Sequence, residues 1–191
     1  MDTVTLWTRQ VLQVLEEIQE TGRYIVKEEY VRTKNDTISD YYIELYRWYT
    51  KEARKHIQIE EKLEYPIWLS VDESVMLQPV EDTVILKVEV PREEMVYCNM
   101  TAWGFRVNYW YIPFDAEDEK KHNDEIKRYG IANETDLTTT DKGNFYPVLK
   151  RKILESWERV FTLPPKDIED TVATTWQIKK EWIKEVHEYG K

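Results

Sequence analysis

The stretch from Val84 to Pro113 constrains the fold more than any other part of the chain. Val84, Leu86, Val88 and Val90 fall on one face of an extended segment, and Ile85, Lys87 and Glu89 on the other. Only an extended backbone sends alternate side chains to opposite faces, so this period of two specifies a strand. Lys87 and Glu89 place charge on the second face, which suits a mixed or antiparallel sheet with one side toward water or a polar cleft. Pro91 brings no N–H to a ladder and ends the strand. Met95 to Cys98 then offers a second short apolar run, so a hairpin or corner is expected. Asn99 or Thr101 can cap the helix that follows, in which Trp103, Val107 and Trp110 recur at i, i+4 and i+7.

Residues 4 to 7 read as a first strand. Thr8 is placed to cap a helix whose Val11, Leu12, Leu15 and Ile18 form a narrow stripe, and Gly22 stops that helix. Tyr24 to Val26 reads as extended, and Lys34 to Asp36 as a turn. Ser39 can cap a second helix to about His56, with Tyr42, Tyr46, Tyr49 and Ala53 on one face and Ile43, Arg47 and Trp48 widening its buried surface. Tyr65 to Leu69 reads as a strand, 72 to 82 as irregular, 115 to 130 as a solvated helix ended by Gly130, and 132 to 144 as a mobile loop. Val148 to Phe161 returns to helix, with Leu149, Ile153, Trp157 and Val160 in register and Pro164-Pro165 as its stop. A strand through Lys179 is expected near the C-terminus, and 180 to 188 fit either strand or helix. These elements define the α+β class: one compact domain over 1 to 191, with a short mixed or antiparallel sheet packed by three or more helices. No repeat, linker or low-complexity tract interrupts it.

Composition bears on partners. The chain has 27 Lys and Arg against 37 Asp and Glu, a net charge of −10, with the acids scattered along its length. General nucleic-acid binding draws its affinity from cations that neutralise phosphates, so it is not expected. No run approaches the about 20 apolar residues that span a bilayer, and the start has no basic, apolar leader. The expectation is a cytoplasmic protein without membrane attachment, and a lone cysteine, Cys98, fits a reducing compartment. Eight tryptophans and thirteen tyrosines supply either a core of large rings or a pocket that stacks a planar ligand.

Chemical signatures are few. Thr8, Arg9 and Gln10, at a strand end leading into a helix, can meet an anion or serve as an ordinary cap with a solvated arginine. Asn108 can orient a ligand or cap its own helix. His56, His122 and His187 are far apart, lack the pairing of zinc ligands and read as solvated, so no metal is expected. Cys98 reads as a small buried hydrophobe. The acidic pairs Glu60-Glu61 and Glu93-Glu94 sit in hydrophilic connections and read as solvated, and no phosphate-binding glycine loop is present.

At LWTRQ, YPIW, ILKVEVP, AWGFRVNYWYIP and ATTWQIKKEWIKEV the chain resembles an uncharacterised bacterial family, domain-of-unknown-function family 3841, over nearly its whole length. The family pattern has an aspartate-rich turn and a Trp-His pair where this chain reads Cys98-Asn99-Met100 and Trp103-Gly104. It also has further polar residues and an arginine where this chain reads LSVDESVML. The resemblance therefore implies a copy that has lost groups an active site would need. A weaker likeness is to the ADP-ribosyltransferase-like fold, whose closing strands carry a catalytic glutamate where this chain reads ATTW.

The leading functional expectation is a non-catalytic or degenerate domain that binds a small ligand of the nucleotide or NAD type. Its candidate site residues are Trp7, Thr8, Arg9, Gln10, Trp68, Trp103 and Asn108. No catalytic residue is assigned, and NAD enters as a cofactor only through the fold likeness. The alternatives are an ADP-ribosyltransferase-like enzyme using NAD, and an acidic interaction or inhibitor protein, encoded on a mobile element, that occupies a basic protein partner.

Overall fold

A computed structural model describes residues 2 to 189. The chain gathers into two compact units, Met1–Tyr97 with Asp167–Lys191, and Cys98–Lys166.

The first unit is built on strands β1 (Thr3–Val11), β2 (Arg23–Tyr24), β3 (Ile67–Ser70), β4 (Thr83–Pro91), β5 (Val96–Asn99), β6 (Thr171–Thr175), β7 (Ile178–Lys179) and β8 (Ile183–Glu188). Helices α1 (Leu12–Thr21), α2 (Glu28–Asn35) and α3 (Ser39–Ala53) complete it. The main sheet has the order β5-β6-β3-β1-β4-β8, with β5 running across the division between the units, and β2 and β7 form a separate ladder. β1 pairs antiparallel with β3 and β4, β3 with β6, and β4 with β8. The α+β class read from the sequence is the observed one.

The alternation in β4 sets the core. Val84, Leu86, Val88 and Val90 are fully buried with Leu6 of β1, Ile67 and Leu69 of β3, and Val14 and Ile18 of α1. Burial on this scale contributes about 1.5–3 kcal/mol per large apolar side chain. Gly22 ends α1 at φ 86°, where its N–H bonds the Ile18 carbonyl at 2.9 Å. A left-handed residue with no Cβ carries no steric cost at that position. The second face is polar at one end, where Lys87 and Glu89 pair with Glu185 and Lys184 of β8. At the other end α3 covers it: the Tyr49 hydroxyl lies 2.9 Å from that of Thr174, and its ring 5.1 Å from that of Trp68.

Several expectations need correction here. β1 continues to Val11 because its nine-residue ladder with β4 carries Thr8 opposite Leu86, so Thr8 caps nothing and α1 starts without a side-chain cap. Residues 28 to 35 form a helix that the apolar pattern does not announce, since Val31 is its only buried residue. Val31 packs the helix against Ile43 and Tyr65, and exposed salt bridges run from Glu28 to Arg32 at 2.7 Å and to Arg47 at 2.9 Å. Arg47 is therefore exposed on α3 and widens no buried surface. Ser39 begins α3 without capping it. Residues 180 to 188 resolve into a short 3-10 turn followed by β8.

The second unit is helical: α4 (Met100–Val107), α5 (Ala116–Arg128), α6 (Asp136–Thr139), α7 (Pro147–Ser156) and α8 (Arg159–Thr162). Asn99 caps α4, its side-chain oxygen accepting the Ala102 N–H at 2.8 Å. The helix ends at Val107, and Tyr109 turns to φ 60°, so Trp110 leaves the expected stripe and is half exposed. Leu149, Ile153, Trp157 and Val160 are all buried even though the expected helix breaks between α7 and α8. The segment read as a loop at 132 to 144 contains α6 and a 3-10 turn, with Leu137 fully buried. Gly143 makes this packing possible: a Cβ there would lie 1.9 Å from the Leu137 carbonyl oxygen. Among the described residues no helix is long and apolar enough to cross a membrane.

Candidate functional site

The first unit contains an open cleft of about 1590 Å³, larger than the ~300–1,000 Å³ usual for small-molecule sites. Three segments wall it, and each is fixed by its own chemistry. The first is the turn after α3, where the Arg54 guanidinium donates to the carbonyls of Glu60, Glu61 and Leu63 at 3.2, 3.1 and 3.0 Å. One side chain thereby closes the loop that carries Ile57, Gln58 and Ile59 along the cleft.

The second wall is the 3-10 turn Arg92–Glu94 that follows Pro91. Arg92 donates its backbone N–H to the Asp2 carbonyl at 3.0 Å, and its guanidinium reaches the Met95 carbonyl at 3.3 Å and lies 4.9 Å from the Tyr97 ring centroid. The third wall is the end of β6 and the turn into β7. Thr175 donates to the Glu94 carbonyl at 2.8 Å, while Gln177 and Lys179 each donate to the Glu94 carboxylate at 2.7 Å. Lys179 also lies 4.9 Å from the Trp182 ring. Behind this wall the Trp176 indole donates to the Thr50 hydroxyl at 2.8 Å and stacks on Tyr49 at 6.2 Å.

Glu60-Glu61 and Glu93-Glu94 stand in connections as the sequence places them, with Glu60, Glu61 and Glu93 exposed and Glu94 half-buried, and the fold adds that both pairs line the same cleft. They are more than 30 residues apart, and only tertiary packing brings them together. A hydrogen bond from Lys62 leads the effects that hold the Glu60 carboxyl below its usual range, with Arg23 adding to it. Among the described residues no three His, Cys, Asp or Glu side chains converge as a metal site would require.

Five of the sequence-derived candidates lie together on the sheet of this unit. Thr8 donates to the Trp68 carbonyl at 2.9 Å, Gln10 donates to the Thr8 hydroxyl at 2.8 Å, and Arg9 donates to the Gln78 carbonyl at 3.0 Å. Trp7 is half buried and faces Ser70 across the ladder, and the Trp68 ring packs 6.4 Å from that of Tyr46. Burial drives the Tyr46 hydroxyl up to about 12. None of these five residues is part of the cleft lining.

Trp103 and Asn108 fall in the second unit. Trp103 is buried within α4, and Asn108 stands at the end of that helix, donating its side-chain amide to the Gly104 carbonyl at 2.9 Å. This unit also holds a polar cluster that the sequence does not reveal. His122 is 2% exposed, where a solvated surface histidine was expected. Its ring stacks on Tyr111 at 4.1 Å, and its Nε2 lies 3.1 Å from Glu134. Glu134 also accepts the Tyr111 backbone N–H at 2.6 Å. The Tyr111 hydroxyl donates to Asp118 at 2.7 Å, and Arg159 lies 3.0 Å from the same carboxylate. Partial burial raises the Asp118 pKa, but the Phe114 N–H, the Tyr111 hydroxyl and Arg159 outweigh it and leave the carboxyl below its usual value. His122 is the only buried residue of α5, so no apolar periodicity marks it in the sequence.

The fold and the cleft define an α+β protein on an antiparallel sheet, with an open recess at the sheet margin lined by five acidic and four Lys or Arg side chains among apolar ones. A family model described as a domain of unknown function, DUF3841, matches residues 5–184, so the chain belongs to that family, and the match runs across both units. No curated protein and no solved structure matches the chain, and the likeness to ADP-ribosyltransferases draws no support from either comparison.

Proposed function

We propose that this protein is a non-catalytic small-ligand-binding domain whose site is the cleft of the first unit. The observation that carries the reading is a recess of about 1590 Å³ with walls held in place before any ligand arrives, by Arg54 on one side and by Glu94 with Gln177 and Lys179 on the other. Preformed walls lower the ordering cost of binding. Catalysis is not part of this reading, because general acid–base work needs a carboxylate tuned by burial. Glu61 and Glu93 are exposed, and Glu94 is neutralised by Lys179.

The test is a thermal-shift screen of the purified chain against nucleotides, NAD derivatives and other small metabolites. A ligand at a hundredfold excess over its Kd stabilises the native state by about 2.7 kcal/mol. The expected result is a saturable rise in Tm that Gln58→Trp, a bulky change at the cleft lining, abolishes. A flat response across the panel overturns the reading. Consumption of NAD by the purified chain would instead support the enzyme alternative, an ADP-ribosyltransferase-like activity. A cytoplasmic, bacterial setting and the absence of membrane and general nucleic-acid partners belong to the same proposal, supported by the lone, buried Cys98 and the acidic surface.

A second reading is an acidic protein that occupies a basic partner. One observation favours it: the first unit holds 16 Lys and Arg against 26 Asp and Glu, so it carries the whole net charge of −10. Affinity capture that returns no basic protein at low salt would remove that reading.

A further inference from the structure

β8 is the last strand of the main sheet, and among the described residues no further strand pairs beyond it. In an antiparallel ladder alternate residues turn both N–H and C=O to the same side, so half of the β8 backbone groups face away from β4. Such an edge is a template for another strand, and proteins guard it with proline, bulges or charge. β8 has no proline, and Lys184 to His187 are exposed. Its bulge falls at one end. Glu185 to Glu188 stand opposite Lys87 to Val84 of β4 in unbroken register, and Lys184 is the residue skipped before Ile183 pairs with Val88.

Charge decides what this edge accepts. Two copies of one strand pair antiparallel about a two-fold axis. Opposed residues must both direct their backbone groups across the new ladder or both away from it, so the axis passes through a residue and not between two. On Lys184, Glu185 or Glu188 the axis would set a like charge directly opposite itself, which is destabilising. On His187 it would set Val186 opposite Glu188 and Glu185 opposite Tyr189. On Val186 it sets Glu185 of each copy opposite His187 of the other, with Lys184 beside Glu188 at each end. The Glu185 carboxylate lies 2.6 Å from Lys87 and 3.2 Å from the Nε2 of its own His187, so these groups share one face of the sheet. Val186, 40% exposed and opposite Leu86, would meet its own copy across the axis. A guarded edge presents one sign of charge to its copy, whereas this one presents complementary groups.

We infer that β8 is a self-association surface: a second copy of this chain adds its own β8 antiparallel, with Val186 on the two-fold axis, and joins the two six-stranded sheets into one. The pairing is isologous and closes as a dimer. None of residues 183 to 188 lines the cleft, so the inference stands apart from the ligand-binding reading. The net charge of −10 opposes the approach of two copies, so a dimer needs specific pairs at its contact.

The experiment is sedimentation velocity of the full chain from about 1 to 100 µM at about 0.15 M salt. The expected result is a monomer–dimer equilibrium that moves toward dimer with concentration. His187→Glu sets like charges opposite Glu185 twice in each dimer and should weaken it at least about fivefold. Gln13→Glu, the same charge change on the exposed face of α1, should leave it within about twofold. Oxidation reads the register. Val186→Cys should cross-link to its own copy, because opposed Cα atoms lie about 4.5–5.5 Å apart, within disulfide reach. Glu185→Cys should not, because its own copy lies on a diagonal about 7–8 Å away. The native Cys98 is buried, out of reach of a cross-link. A monomer over the whole range overturns the inference. So does a dimer indifferent to His187→Glu, which places the contact on another surface such as the exposed Phe145 and Val148. Equal cross-linking by both cysteine variants, or assembly beyond the dimer, overturns it as well.

Discussion

The two units handle charge in opposite ways. The first carries the entire net charge of −10 and, Asp170 apart, keeps the charged side chains of its described residues exposed or half-buried, over an apolar interior set by β1, β3, β4 and α1. The second is balanced, with 11 cationic and 11 acidic residues, and takes charge inside. Arg106 is 2% exposed and lies 3.9 Å from the Trp157 ring centroid, and His122 and Glu134 sit within the network that joins Tyr111, Asp118 and Arg159. The first arrangement draws stability from area removed from water, a diffuse quantity. The second depends on particular hydrogen bonds, and a buried group that loses its partner bears its full desolvation cost.

Single substitutions can break or sharpen this contrast. Leu86→Ala, at the centre of the first unit's core, should cost about 3–4 kcal/mol in urea unfolding, within the usual range for buried leucine truncation. A loss below about 1 kcal/mol would mean that the first unit does not rest on its apolar core. Glu134→Ala should cost about 2–3 kcal/mol although it removes little apolar surface, because the His122 Nε2 and the Tyr111 N–H both lose their acceptor. Recovery by Glu134→Gln of about half that loss would identify the hydrogen bonds, not side-chain volume, as the cause.

Asp118→Asn tests the pH behaviour of the same network. The folded Asp118 carboxyl is held below its usual 3.8, so its contribution to stability is present above that value and is lost as the pH falls through the lower folded value. The wild-type chain should therefore lose stability more steeply than the variant as the pH drops below the usual value, followed by thermal unfolding across an acid series. Coincident acid limbs would remove Asp118 from the network's energetics. Lys87→Ala, which breaks the strand-to-strand pair with Glu185 at 2.6 Å, should change stability by less than about 1 kcal/mol, because exposed pairs gain little in water. A larger loss would show that the first unit also depends on individual charges.

Much of the first unit is legible from pattern. Val84 to Val90 alternate because β4 is half of a long antiparallel ladder, and the stop at Gly22 reads correctly because a left-handed residue leaves its own signature. Helix α2 is missed because Val31 is its one buried residue, and a single apolar contact leaves no period. Thr8 reads as a cap because the ladder's length is set by β4, more than 70 residues away in sequence. In the second unit Leu149, Ile153, Trp157 and Val160 announce their burial, while His122 and Leu137 lie in polar text that gives no such sign. The junctions between the units carry no linker composition, and the first falls inside β5.

The candidate site was less legible than the fold. Thr8, Gln10 and Trp68 are adjacent in space, but they lie within β1 and β3 and not at a strand end leading into a helix, and their hydrogen bonds stay within the sheet. The cleft instead takes Arg54, Glu61, Glu93 and Gln177 from three distant segments.

By itself the sequence determined the α+β class, the core face of β4, the stop at Gly22, a cap at Asn99 or Thr101 that the structure resolves to Asn99, and the excess of acid. Each of these is local: a repeat of two or four residues, one backbone conformation, or a sum over composition. Tertiary structure alone decided that the acid is concentrated in one unit, that two carboxylate pairs face a common cleft whose cations are already engaged, and that His122 is buried. Those facts depend on which distant segments meet. That is fixed by strand pairing and by the satisfaction of buried polar groups, neither of which leaves a period in the chain.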